Sequence, residues 1–143
     1  MSIDFLKFKN ISKVWGSEKI FELNFIKKNK FNILKVITIR KNQEPSLQFH
    51  LKKKEMIIIM KGSGILKYYN NSINNKIIKN YKNIDFNINK YKHKTKKLKV
   101  GDAFFIDKKT IHQIHSSNEI VLVEISTNYL TDVIRLKDKY GRT

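Results

Sequence analysis

Ser46-Leu47-Gln48-Phe49-His50-Leu51-Lys52-Lys53-Lys54-Glu55-Met56-Ile57-Ile58-Ile59-Met60 is the stretch whose reading decides the fold. Gln48 and His50 stand two apart, and on a strand residues two apart share a face because side chains alternate. Glu55 follows five residues later, at the head of an apolar run. A turn through the three lysines would swing Glu55 back onto the face of Gln48 and His50. Far downstream, His112 ends the run that begins Gly101-Asp102-Ala103-Phe104-Phe105-Ile106. An amide oxygen, two imidazoles and a carboxylate form a mixed nitrogen and oxygen set. Such a set suits zinc foremost, with Mn, Co, Fe or Ni as alternatives.

Outward from this stretch, short runs rich in Ile, Phe, Val and Tyr predict strands. They cover 19–25, 31–40, 45–51, 55–61, 64–69, 97–100, 103–106, 110–115 and 119–126. Many short strands in one small chain predict an antiparallel sandwich or barrel. Helical periodicity is expected only near 131–139. Gly62-Ser63-Gly64 and Gly101-Asp102 read as hairpin turns. The stretch 70–96 stands apart, with eight Asn, seven Lys and one acid, Asp85. It reads as a long surface loop or hairpin, with a further strand possible at Lys76-Ile77-Ile78-Lys79.

The length of 143 residues and an apolar content of 41% predict one domain, 1–143, with a real core and an insertion at about 70–96. The absence of cysteine excludes a disulfide framework and thiolate metal sites. Apolar runs are far too short for a membrane-spanning helix, and the N-terminus lacks the apolar segment of a signal peptide, so a cytoplasmic protein is expected. The net charge is +18, yet 27 of the 30 basic residues are lysine. Base readout and bidentate phosphate contact favour arginine, so the charge does not point to nucleic acid. It would still draw in an anionic substrate. His115 is offset by three from His112, so on one strand the two face opposite sides, and His93 in Lys92-His93-Lys94 is expected in solvent.

These residues resemble the cupin superfamily, whose first motif runs G-x5-H-x-H-x(3,4)-E-x6-G. Gln48-x-His50-x4-Glu55-x6-Gly62 matches it with Gln in place of the leading His, and Gly101-x10-His112 matches the spacing of the second motif. Within that superfamily the chain is most similar to the C-terminal isomerase domain of type II mannose-6-phosphate isomerases. The likeness rests on Trp15-Gly16, on Lys35-Val36-Ile37-Thr38-Ile39, on Ser46-Leu47-Gln48-Phe49-His50, and on Arg135-x-x-Asp138-x-Tyr140-Gly141-Arg142. The family's H-H-R after the metal histidine is Leu51-Lys52-Lys53 here. The Pro and Gly of the second motif are Asp107 and Lys109.

The resemblance implies an all-β double-stranded β-helix, the cupin jelly roll, with a short C-terminal helical turn. It implies a divalent ion held by Gln48, His50, Glu55 and His112. It further implies an aldose–ketose isomerisation of a sugar phosphate through an enediol. Arg135 and Lys53 would be catalytic, and Arg142, Lys35 and Trp15 would meet the substrate. Arg suits an oxyanion or phosphate, whereas Lys53 can act as a base only if its surroundings depress its pKa. Structural alternatives are pairing of Arg135 and Arg142 with Asp132 and Asp138, and a core position for Trp15. A homodimer is a further expectation. The rival readings are a non-catalytic metal- or sugar-binding cupin, a cupin enzyme on another substrate, and, last, a nucleic-acid binder through 70–96.

Overall fold

The computed structural model describes residues 3–27 and 30–142; Met1 and Ser2, at the head of the N-terminal stretch discussed above, lie outside it. Among the described residues, eleven strands form two antiparallel sheets. They are β1 (Lys9–Lys13), β2 (Gly16–Glu22), β3 (Phe31–Ile39), β4 (Leu47–Phe49), β5 (Glu55–Lys61), β6 (Gly64–Tyr68), β7 (Lys94–Leu98), β8 (Ala103–Ile106), β9 (His112–Ser116), β10 (Ile120–Thr127) and β11 (Ile134–Lys137). One sheet has six strands in the order β1-β2-β3-β10-β5-β8, and the other has five in the order β11-β4-β9-β6-β7. This is the all-β antiparallel sandwich that the strand pattern predicts, in the jelly-roll form that the resemblance implies.

Alternation sorts each strand's side chains between interior and exterior. On β10, Leu122, Glu124 and Ser126 are buried while Val121, Val123 and Ile125 are half-buried on the other side. The interior holds Trp15, Ile37, Ile39, Ile57, Ile59, Ile114, Ile120 and Leu122 in one cluster. Trp15 is thus a core residue, 4% exposed.

Three expectations are corrected. The segment near 131–139 contains strand β11 instead of a helix, because Ile134 and Leu136 alternate with Arg135 and Lys137 and pair with β4. The two glycine turns are not hairpins. Gly62 links β5 to β6 and Gly101 links β7 to β8, and in each case the chain crosses from one sheet to the other. Both glycines sit at positive φ, +86° and +92°, where L side chains are strained.

The third correction concerns 70–96. Instead of a loop or a strand at 76–79, it contains helix α1 (Asn71–Asn80), followed by a short 3-10 turn, Ile88–Lys90. Asn70 caps α1 by accepting from the Ile73 backbone N–H. Ile73 and Ile77 recur at helical spacing and pack, with Tyr81, Phe86 and Tyr91, against Leu47, Phe49 and Ile111. The buried Asn74 donates to the Tyr69 carbonyl and accepts from Ile111 N–H, fastening helix to sheet. The insertion therefore covers Leu47 and Phe49 on the outer side of β4, at one end of the five-stranded sheet.

Candidate metal centre

Strand β4 points Leu47 and Phe49 outward under α1, which leaves Gln48 and then His50 facing the interior. Gln48 is directly opposite His112 on β9 and Arg135 on β11, so three side chains form one row across the five-stranded sheet. The chain then turns through Leu51-Lys52-Lys53. Asp132 organises that turn: its carboxylate accepts from the N–H groups of Leu51, Lys52 and Lys53 at 3.1, 2.7 and 3.0 Å. The turn delivers Glu55 to the head of β5, in the other sheet, facing the two imidazoles as the lysine spacing predicts.

His50 Nε2 lies 3.6 Å and His112 Nε2 3.1 Å from Glu55 Oε1, and all three residues are buried. Two ligands at ~2.1 Å from a tetrahedral ion are themselves about 3.4 Å apart, so this spacing fits an ion between them. The tautomers fit as well. His50 Nδ1 is bonded to the Asp132 carbonyl, and His112 Nδ1 to the Thr110 carbonyl at 2.9 Å. A carbonyl only accepts, so each Nδ1 carries the proton and each Nε2 presents its lone pair. His50 Nε2 is buried with no hydrogen-bond partner, which an ion would satisfy. Gln48 lines the same cavity, its Oε1 accepting from the Ser46 hydroxyl at 2.7 Å.

A chain of buried charges runs from this group across the interior. Lys53 Nζ is 3.3 Å from Glu55 and 3.1 Å from Glu124, and Lys35 Nζ lies 3.9 Å from Glu124 and 3.6 Å from Glu18. Burial pushes the Glu55 carboxyl up, but the flanking His112 and His50 side chains and the Lys53 ammonium outweigh it and hold it well below the usual carboxylate range. Burial disfavours the Lys53 ammonium, yet Glu124 and Glu55 prevail and raise its pKa above the ordinary value. The condition under which Lys53 could serve as a base is therefore not met. Burial and the nearby Glu55 charge push the Glu124 carboxyl up to about 8, against Lys53 and Lys35.

Sequence reasoning missed Glu124 and Glu18. The available signal was a lone carboxylate at an inward position of the otherwise apolar β10. It also missed the structural part of Asp132, which anchors the turn instead of pairing with an arginine. Arg142 does pair with Asp138, in a two-pronged bond of 3.0 and 2.8 Å. His115 faces outward as expected, half-buried and 2.9 Å from Glu44, and His93 is exposed. Trp15, Lys35, Gln48, His50, Lys53, Glu55, His112, Arg135 and Arg142 all line one cavity of about 350 Å³.

No family model matches the sequence, and no curated protein is similar to it at a significant level. Solved structures do share the fold. The capsular polysaccharide assembling protein CapF of Staphylococcus aureus superposes with a TM-score of 0.65 at 11% identity, over 92% of this chain and 32% of that one. An oxalate decarboxylase of Lactobacillus farciminis, in a formate complex, gives 0.63 at 15% identity, over 90% and 33%. Drosophila melanogaster CENP-C bound to CAL1 gives 0.55 at 16% identity, over 83% and 76%. The chain thus spans about a third of the length of CapF and the decarboxylase. The cupin fold is shown by CapF and the oxalate decarboxylases, and the Bacillus subtilis oxalate decarboxylase has Mn(II) centres. Residues His50, Glu55 and His112 give this chain a group able to hold a metal ion.

Proposed function

We propose that the protein is a metal-dependent cupin acting on a small anionic metabolite, and that its reaction is the aldose–ketose isomerisation of a sugar phosphate. The observation that carries this reading is one cavity in which His50, Glu55 and His112 stand beside Gln48, Arg135, Lys35 and Arg142. A cavity of this size is at the small end of metabolite sites. An ion held there would supply Lewis-acid polarisation of substrate oxygens. Arg135, in the same row as Gln48 and His112, supports oxyanion stabilisation near the ion, and Arg142, steadied by Asp138, supports phosphate binding. Lys53, kept cationic, acts as a hydrogen-bond donor. Glu124 lines the cavity outside the ligand group and is the carboxyl placed to move a proton between adjacent carbons.

The test is metal analysis of purified protein followed by a coupled assay on mannose 6-phosphate with Zn, Mn, Co, Fe and Ni in turn. Turnover that Glu124→Gln abolishes without loss of bound metal supports the reading. No turnover with any ion removes the isomerase. A second reading, non-catalytic binding of a metal or sugar, is favoured by one observation: Lys53 already holds Glu55 at 3.3 Å and competes with an ion for it.

A further inference from the structure

We propose that the outer side of the five-stranded sheet carries a second ligand site, separate from the candidate metal centre, for a phosphate group, free or on a small molecule. Helix α1 covers the β4 end of that side. At the other end Leu66, Leu98 and Ile114 point into the core, so their neighbours on β6, β7 and β9 point outward. Register places Thr95, Lys67 and Gln113 in one outward row across these three strands, and Lys97, Ile65 and His115 in the next. The sheet does not meet solvent there as a flat face. Glu44, in the loop before β4, and Lys137 and Lys139, at the end of β11 and just past it, complete with the two rows a cavity of about 310 Å³.

Three ammonium groups thus line one recess with a single carboxylate, and that carboxylate is already engaged: Glu44 Oε2 lies 2.9 Å from His115 Nδ1. The two buried lysines of the inner cavity, Lys35 and Lys53, each sit against carboxylates. Lys67 is half-buried as well, yet among the described residues neither it nor Lys137 forms an ion pair. Burial and the Lys137 charge both push the Lys67 pKa down, against Glu44. Like charges held together in a partly desolvated recess carry a free-energy cost that an anion between them removes. Lys139 donates to the Asn42 carbonyl at 3.2 Å, which fixes the third ammonium beside the other two.

The lining selects the ligand. Ammonium groups act on phosphate as point charges. The three ammoniums exceed the one carboxylate by two charges, which matches a phosphate dianion. The Thr95 hydroxyl adds a neutral donor in the row of Lys67, and Ile65, 37% exposed, offers an apolar floor to a short carbon skeleton. The volume is at the small end of metabolite sites.

The experiment is a proton–nitrogen correlation NMR titration of the full chain after chelator treatment. One arm uses inorganic phosphate and the other glycerol phosphate, both at constant ionic strength. Amide shifts at Lys67, Thr95 and Gln113 should saturate, and the tighter arm tells whether the ligand is free phosphate or a monoester. Lys67→Gln/Lys137→Gln should weaken binding at least tenfold while keeping or raising the melting temperature, because it also removes the repulsion. Lys76→Gln/Lys79→Gln removes the same charge from the exposed side of α1 and should leave affinity unchanged. Shifts that stay linear and unsaturated in both arms overturn the proposal. Equal weakening by the two pairs of substitutions overturns it by assigning the binding to the general positive field. Shifts confined to Gln48, His112 and Arg135 overturn it by placing the anion in the inner cavity. No readout here depends on turnover, so failure of this site leaves the proposed reaction untouched.

Discussion

Each imidazole of the candidate centre donates Nδ1–H to a backbone carbonyl, so its Nε2 lone pair is already aimed before any ion arrives. His112→Ala should therefore lower metal affinity at least 100-fold by titration calorimetry, with the melting temperature of the metal-free protein little changed; unchanged uptake would place the ligands elsewhere. Lys53 has opposite effects in the two states. Lys53→Met leaves the buried Glu55 carboxylate without its cation, which destabilises the metal-free protein by about 3 kcal/mol in urea denaturation. The same change frees Glu55, so ion binding should tighten; looser binding would mean that Lys53 positions Glu55 instead of competing for it. Asp132 gives a pH signature. Burial raises its carboxyl, but the N–H groups of Lys52, Lys53 and Leu51 outweigh burial and hold it below the ordinary value. A carboxyl with a folded value below its unfolded one stabilises above the unfolded value, ~3.9, and that contribution disappears as pH falls through the folded value. Asp132→Asn should thus cost about 1–2 kcal/mol at pH 7. The gap between wild type and variant should begin to shrink as pH falls below the ordinary carboxyl value and close once pH is below the folded value, and a gap that stays constant throughout acid titration would assign the cost to packing.

At the scale of elements, α1 shows what composition conceals. Its sequence is Asn- and Ile-rich, with weak intrinsic helix propensity, yet Ile73 and Ile77 bury against β4 and the loop before β9, and tertiary packing decides. Ile77, fully buried, should cost about 2–4 kcal/mol when cut to Ala, and Asn74→Ala about 1–3 kcal/mol by orphaning the Ile111 N–H. Equilibrium unfolding measures both, and values near zero would mean that the helix is not docked in solution. The strands that read clearly from sequence are those with one buried face, such as β3, β5 and β10. Strand β1 did not, because Lys9–Lys13 is an edge strand with almost every residue exposed and carries no alternation to read. Strand β11 was hidden by its charges, although Ile134 and Leu136 keep the period of two. His50, Glu55 and His112 were legible because a period of two plus one turn fixes their face. Glu124 and Glu18 were not, since their partners come from other strands and only the register of the sheet brings Lys35 between them.

Over the whole molecule, charge separates into an interior and an exterior account. The surface is overwhelmingly cationic, whereas in the chain of buried charges beside the candidate centre carboxyls and ammoniums alternate: Glu18, Glu55 and Glu124 face the ammoniums of Lys35 and Lys53, and Glu124, pushed up to about 8, mostly keeps its proton near neutral pH. A divalent ion at His50, Glu55 and His112 would add two positive charges to that group. An anionic ligand entering the cavity then meets a net positive site, with Arg135 and Arg142 at its wall. Ion and anion should therefore bind in order. At an effective dielectric of about 20, a unit charge pair ~8 Å apart is worth about 2 kcal/mol, more than a factor of ten in affinity. Calorimetric titration with mannose 6-phosphate should give affinity at least tenfold weaker after chelator treatment than with the ion restored, and the loss should be recovered by adding the ion back. Sugar phosphate should in turn tighten ion binding by the same factor, because the coupling is reciprocal. Equal affinity with and without the ion would mean that surface lysines hold the phosphate outside the cavity, and high salt would then abolish binding in both states alike.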